Sequence, residues 1–548
     1  MFAKTTVFSG CRGVLLFGVA LSACAGVEPA SPPGDVDEVT AARARPIDVC
    51  QLTIASIKDG LGERRFTAEQ LTRAYLAQIA RWEPTYNAFT FMNEAALERA
   101  RQIDAQRRHG AELGPLAGVP IVVKESMDEV GFPSTAGWAP LSSQAGGHDL
   151  FPARDSTVVQ RILDAGAIVL GKTNIPAFSD DNTRANSSWA GPTLNAIDRD
   201  LAPGASSSGT ATAVAGCFAP AGLAEETGGS IQSPSAAQSL VGVKPTFALV
   251  PTNGVVPLAG STRDVVGPIA TNVRDAAMLL DVLAGFSPRD PKTIAARGHI
   301  PDGGYTSKLR KHALRGKRIG LYGPGWSLLP LSAETSALYA RAIEELQAQG
   351  AIVVRDPFAG SGLAELALPD QPYDFRGTES VAFDYTNYLK GLGVDSLDAF
   401  RQVIGISPFD DGGPLHYYAD LLPVLKDSLN HPADPPDLSE FNQLRAQYTS
   451  IFGHVFRAHH LDAVVFPQAI EALPPLFSTV FIAETTVSAI NIGGLPGVTV
   501  PAGQYASNGS PFSLIFVGPH WSEADLLGLA FDYEQATHHR IPANLATD

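Results

Sequence analysis

The chain is 548 residues long, 45% hydrophobic and 18% charged, a composition that can bury a large core and excludes intrinsic disorder. Its 40 Lys and Arg against 56 Asp and Glu give a formal charge of −16, and basic residues adjoin only in pairs such as Arg64-Arg65 and Arg107-Arg108, which argues against nucleic acid as a partner. At about 150 residues per domain the length would divide into roughly three or four units, but large α/β enzymes exceed that size and we read one dominant domain over 48–548.

Residues 1–23 read as an export signal: Lys4 and Arg12 precede an apolar stretch from Gly13 to Leu21 that is too short to span a bilayer. Leu21-Ser22-Ala23-Cys24 resembles a bacterial lipobox, in which Cys24 would be acylated and become the mature N-terminus. Ala23-Cys24-Ala25 also fits the small-residue cleavage pattern of simple secretion. Both readings export the chain, to the periplasm or beyond, and leave a lipid on Cys24 as its only membrane contact. Residues 24–47, rich in Pro, Ala and Asp between Glu28 and Arg45, read as a flexible tether. With Cys11 in the signal and Cys24 lipidated, Cys50 and Cys217 remain; an oxidising compartment permits a bridge, but spacing shows none, and we read them as unpaired buried thiols.

Leu71, Tyr75, Leu76 and Ile79 recur at helical spacing over Ala68–Ile79. Val119 to Val123 is an apolar strand ending on Lys124, where burial would favour a neutral amine. A helical stretch from Val158 to Leu163 leads into the strand Ala167–Leu170. Gly166 to Thr173 matches the phosphate-loop pattern GxxxxGK[ST], but its mechanics are wrong: four apolar residues make a strand where an open turn is needed, and Pro176 stops any following helix. Lys172 is therefore read as structural. Two glycine-serine loops follow, Pro203 to Gly209 and Thr227-Gly228-Gly229-Ser230, and Ser233-Pro234 reads as a helix N-cap with its first helical residue. Arg318–Tyr322 and Ala351–Val354 read as strands around a helix from Thr335 to Gln349, and Ala463–Phe466 as another strand. The rhythm is α/β, with apolar strands whose sheet faces must be covered by helices. The span Ala359–Asn442, rich in Pro, Asp and Gly, reads as an irregular insertion or a substrate-facing region.

Most nucleophile templates fail. There is no GxSxG elbow, no serine followed three residues later by lysine, and no HExxH or cysteine-histidine spacing that would hold zinc, so neither metal nor cofactor is expected. No local pattern flags any of the twelve histidines, and His459, His460, His538 and His539 read as surface residues. Either glycine-serine loop alone is a turn more often than a site. Both together with a strand-ending lysine point to serine chemistry, because a serine hydroxyl is a poor nucleophile until a base takes its proton.

These segments carry a family resemblance. The chain resembles the amidase signature family of serine amidohydrolases through Gly114 to Glu125, Ala165 to Asn174, Pro203 to Thr246, Asp264 to Pro268 and Asn491 to Gly503, over about 52 to the C-terminus, with 290–445 the least similar region. The resemblance implies a large mixed β-sheet covered by helices on both faces. It also implies Ser230 as acyl-accepting nucleophile, Ser206 as a bridging serine on a cis peptide, Lys124 as base, and the amides of Thr227, Gly228, Gly229 and Ser230 as oxyanion hole. Glycine at 228 and 229 would let the scissile carbonyl approach closely. Ser207 and Ser208 are assigned to loop and cap hydrogen bonds. Two departures stand out: the family's Thr-Asp before Thr-Gly-Gly-Ser is Glu225-Glu226, and the arginine two positions after the nucleophile is Gln232. A Glu226 to Gln232 hydrogen bond would replace an ionic brace.

The reading that follows is an exported hydrolase of small carboxylic amides working through a Ser230 acyl-enzyme and a Ser206/Lys124 proton relay. Alternatives are a lipid-anchored binding protein without turnover and an esterase or transacylase on the same scaffold. Acyl transfer within a tRNA amidotransferase conflicts with export. The acyl pocket is expected from Trp138–Pro152 and Gly377–Tyr418, with Phe375, Phe383, Tyr385, Tyr388, Tyr417 and Tyr418 as lining aromatics or as core.

Overall fold

The computed structural model describes residues 47–368 and 374–545. The signal segment, Cys24 and all but the end of the tether lie outside them.

Eleven strands form one mixed sheet: β1 (Phe89–Met92), β2 (Pro120–Lys124), β3 (Ile168–Thr173), β4 (Ala221–Glu226), β5 (Val241–Lys244), β6 (Val265–Ala270), β7 (Arg318–Leu321), β8 (Ile352–Val354), β9 (Ala463–Pro467), β10 (Gly497–Gln504) and β11 (Pro511–Val517). Their order is β1-β3-β2-β4-β6-β5-β10-β11-β9-β7-β8. Parallel pairs join β2 to β3 and β4, and β7 to β8 and β9; the remaining neighbours are antiparallel. Strands β2, β3, β4, β5, β6, β9 and β11 are buried along their whole length, as continuous apolar runs require when helices cover both faces. The edge strands β1 and β8 are less covered, with Met92 and Ile352 exposed.

Two features of this sheet place the site. Strands β2 and β4 run parallel with Val122 opposite Gly222 and Val123 opposite Leu223, so Lys124 and Glu225 lie side by side at their carboxyl ends. Carboxyl ends of parallel strands are where α/β sheets open to ligands. The fully buried helix Ser208–Ala215 packs against this part of the sheet, close enough that a Cβ at Gly222 would sit 2.7 Å from the Thr210 methyl and 2.6 Å from Val122.

The segment 374–442 is more regular than its composition suggests. Helices span Val381–Gly391, Leu397–Ile404 and Pro423–Asn430, with a single turn at Tyr418–Leu421, and the long helix Ser439–His459 begins there. Their buried positions recur at helical spacing, Val381, Tyr385 and Leu389 in the first and Leu397, Phe400 and Ile404 in the second, while Pro and Gly fall mostly between the helices. The first three share a core with Trp138, Phe178, Val256 and Leu258, whereas Ser439–His459 packs with Trp326, Phe358 and Phe466. Among the described residues no helix is long and apolar enough to cross a membrane.

The cysteines depart from the reading of two unpaired buried thiols. Cys50 is exposed, Cys217 half-buried, and they form a disulfide with Cα atoms 5.0 Å apart, within bridging distance. The bridge spans 167 residues and ties the start of the described chain to the end of the helix that follows Ser206 and Ser207. Closing so long a loop constrains the unfolded chain, and the Cys50→Ser/Cys217→Ser double variant is expected to lose about 2–4 kcal/mol of stability. Urea denaturation of the two proteins checks this, and coincident midpoints would show that the bridge contributes nothing.

Candidate active site

Lys124 ends β2 with none of its side chain exposed. Its Nζ lies 2.7 Å from Ser206 Oγ, 2.8 Å from Glu225 Oε2 and 3.1 Å from the Glu225 carbonyl oxygen. Glu225 is 2% exposed, so the base expected to stand alone in an apolar environment is one half of a buried ion pair. Ser206 follows a cis peptide from Ala205 and is buried. Ser207 donates to the Glu225 carbonyl at 3.2 Å, and Ser208 donates to the Gly204 carbonyl at 2.7 Å.

Side chains alternate along β4, so Glu225 and Glu226 point to opposite faces. Glu225 takes Lys124, and Glu226 turns to the following loop. Its Oε2 accepts from the amides of Ile231 at 2.8 Å and Gln232 at 3.1 Å, and its Oε1 accepts from the Gln232 side chain. This carboxylate therefore occupies the N-terminus of the helix Gln232–Ala237, where negative charge is favoured. The Ser233-Pro234 N-cap reading is displaced, since the helix begins before Ser233, and Ser233 donates instead to the Asn182 carbonyl at 2.9 Å.

Between these anchors runs the loop Thr227 to Ser230. Arg263 Nε donates to the Thr227 carbonyl at 3.1 Å, and the Thr227 hydroxyl lies 2.6 Å from Asp264 Oδ1 and 3.2 Å from Glu225 Oε1. No hydrogen bond among the described residues uses the amides of Gly228, Gly229 or Ser230. Gly229 has φ +97°, and a Cβ there would lie 2.2 Å from Glu484 Oε2, so in this structure glycine makes room for a protein carboxyl. Burial first, and the Glu226 charge second, push that Glu484 carboxyl well up.

Ser230 is 5% exposed and, with Thr227 and Gly228, lines a cavity of about 370 Å³. No hydrogen bond joins Ser206 to Ser230 in the structure; Lys124 and Ser206 are in contact and Ser230 is the element open to the cavity. Catalytic hydrogen bonds are often long in unliganded enzymes and close when substrate binds. Phe375, Tyr417, Tyr418, Leu421 and Phe481 also line the cavity.

Of the aromatics singled out in the sequence, Phe375, Tyr417 and Tyr418 reach the cavity. Tyr385 packs edge-on to Phe178 and Phe400 in the neighbouring core, Tyr388 donates to Asp128 at 2.7 Å, and Phe383 does not line the cavity. Nor does any residue of Trp138–Pro152: Trp138 packs on Phe178 instead. Lys172 is buried and donates to the Met127 carbonyl, a structural role. His460 and His538 are exposed, whereas His459 and His539 are half-buried, the latter 2.8 Å from Glu345. Among the described residues no cluster of His, Cys, Asp and Glu is placed to hold a metal ion.

A family model described as Amidase matches residues 70–373. A glutamyl-tRNA(Gln) amidotransferase subunit from Moorella thermoacetica is 31% identical over 528 residues, covering 90% of this chain and 99% of the relative. The solved peptide amidase of Stenotrophomonas maltophilia is similar at 32% identity with a TM-score of 0.73, covering 91% of this chain and 99% of that one. An amidase family protein of Bacillus anthracis is similar at 26% identity with a TM-score of 0.72, covering 90% and 93%.

Sequence reading did not find Asp180, which also lines the cavity. It accepts from the Tyr417 hydroxyl at 2.8 and 3.0 Å and from the Tyr418 hydroxyl at 2.7 Å. Burial outweighs those donors and lifts its carboxyl from the usual 3.8 to about 7. An acid whose proton is held more tightly in the folded state costs stability as pH rises from its unfolded to its folded value. Asp180→Asn is therefore expected to raise the melting temperature by an amount that grows between pH 4 and 7 and is level above. Melting curves across that range check the sign, and a gain confined to pH 4 would contradict it.

Proposed function

The chain belongs to the amidase family and is an amidase, and from that premise we propose that it hydrolyses a carboxylic amide through an acyl-enzyme on Ser230. The observations that carry the reading are the 2.7 Å contact of Lys124 Nζ with Ser206 Oγ and the place of Ser230 in the lining of a cavity. In the first stage Ser230 attacks the amide carbonyl as its proton passes to Ser206 and a Ser206 proton passes to the lysine amine. The oxyanion draws on the amides of Gly228, Gly229 and Ser230, with Thr227 at the edge of the same loop. The relay then runs backwards and protonates the departing nitrogen, and water releases the acid by the same route.

The cavity suits an amide with an apolar or aromatic group. Peptide amidases of comparable length are among the similar solved structures, which makes a peptide-like amide the first substrate class to try. We further propose that the chain is exported, by the signal at 1–23 and with Cys24 as lipid anchor. The Cys50–Cys217 disulfide supports that placement, because such bridges persist in oxidising compartments.

A nitrogen anion is a far poorer leaving group than an alkoxide, so amides depend on the relay's acid more than esters do. Lys124→Ala is expected to lower turnover of an amide by about 10²- to 10⁴-fold and that of the matched ester less. Ser230→Ala is expected to abolish both reactions and labelling by a fluorophosphonate. Equal losses for amide and ester would refute the relay, and labelling that survives Ser230→Ala would refute the nucleophile.

A further inference from the structure

Lys124 has three hydrogen-bond neighbours, and an ammonium has three hydrogens. Ser206 Oγ, the Glu225 carbonyl and Glu225 Oε2 accept one each, at 2.7, 3.1 and 2.8 Å. That arrangement satisfies a protonated lysine completely, and a protonated lysine cannot take a proton from Ser206. Something inside the site must first remove one. Both side chains are sealed from solvent, so bulk water is poorly placed to do so.

We propose that Glu225 is a positioning and proton-holding residue: the base is the Lys124–Glu225 pair, which shifts one proton internally from Nζ to Oε2 before Ser206 is deprotonated. The inference rests on the acyl-enzyme reading and deepens it. In the first step an Nζ–H bond breaks and an Oε2–H bond forms across 2.8 Å, converting ammonium and carboxylate into amine and carboxylic acid with no change in net charge. The amine keeps two hydrogens and turns its lone pair to Ser206. When Ser230 attacks, the proton arriving through Ser206 restores the ammonium, and the new positive charge faces the new oxyanion while Glu225 stays neutral. After the departing nitrogen has taken its proton, Oε2 returns its own to Nζ.

A second contact shows that the acids beside the pair hold a proton. Thr227 Oγ1 carries one hydrogen yet lies within hydrogen-bond distance of two carboxyl oxygens, Asp264 Oδ1 at 2.6 Å and Glu225 Oε1 at 3.2 Å. Both contacts are satisfied together only if one acid is protonated. Asp264 also accepts from the amides of Leu258 and Ala259 at 3.0 Å. The site resists two negative carboxyls: burial first, then the Glu225 charge, lifts Asp264 to about 7. The other charged groups around the pair are Asp384, which acts on Asp264, and Arg263, which holds the Thr227 carbonyl. Lys172 on β3 and Glu125 beyond Lys124 face each other, and Glu226 is turned to the other face of the sheet.

Fluorophosphonate labelling of Ser230 tests this without knowledge of the substrate, since departing fluoride needs no proton and the rate reads nucleophile activation alone. Wild type, Glu225→Gln and Glu225→Thr, the last restoring the residue usual in the family, are compared from pH 5.5 to 10. The wild-type rate constant is expected to stay level through neutrality. In both variants the lysine has no internal proton acceptor and must lose its proton to solvent, so the rate is expected to fall below wild type at the acid end of the range and to climb with pH. Variant profiles that coincide with wild type, or that shift to lower pH, overturn the role of Glu225 while leaving Ser230 in place. A wild type that does not label at any pH overturns the acyl-enzyme reading and this inference with it.

Discussion

A lysine and a glutamate sealed together beneath a serine are the constraint on which the rest of this molecule depends. Taking two charges out of water is costly, and the attraction between them offsets the cost only when geometry is good and the remaining hydrogens and lone pairs find partners. Here they do, because parallel neighbours β2 and β4 bring the two residues to adjacent strand ends and the first glycine-serine loop supplies the third contact through Ser206. Removing either partner would leave an uncompensated buried charge. The register of two strands is thus tied to the reactivity of one nitrogen.

The loop that bears Ser230 is braced by the same sheet. Glu226 holds its downstream end by accepting two backbone amides at the start of a helix, and Arg263 and Asp264 hold its upstream end through the carbonyl and hydroxyl of Thr227. Both of the latter immediately precede β6, the antiparallel neighbour of β4, so the braces come from the next strand over. A short loop fixed at both ends can leave its intervening amides unused by the protein, which is the condition for stabilising charge that appears only during reaction.

Much of this was legible in the sequence because it was local. Apolar runs located β2, β3, β7, β8 and β9 to within a few residues, and the glycine-serine loops with Lys124 marked residues that meet at the site. The Glu226 to Gln232 contact could be read from six residues of chain. What escaped was set by packing over long sequence distances. Glu225 lies 101 residues from Lys124, and nothing in either segment says that their strands are neighbours. Asp180 looks like a turn residue until Tyr417 and Tyr418 arrive from 237 and 238 residues away. Composition misled in 374–442, where Pro and Gly between short helices outweighed the helical spacing within them. Cys50 and Cys217 had no local signal at all.

Chemistry and selectivity consequently sit on different parts of the chain. Lys124, Glu225 and the loop to Ser230 belong to the middle of the sheet, where a change of register would move buried charges and is strongly opposed. The cavity that Ser230 lines draws Phe375, Tyr417, Tyr418 and Leu421 from the helical segment least similar to the family, with Ser179 to Asn182 after β3, Leu258 and Phe481. The core of that segment is separate from the one that contains Val122, Val123 and Leu223, so its side chains can change without disturbing the strands that hold the lysine. Asp180, an acid near neutrality held by two tyrosine hydroxyls, is one of the polar groups of this cavity and is not part of the Lys124–Glu225 pair. The arrangement lets the cavity be retuned toward other amides while the proton inventory of the reacting centre stays as it is.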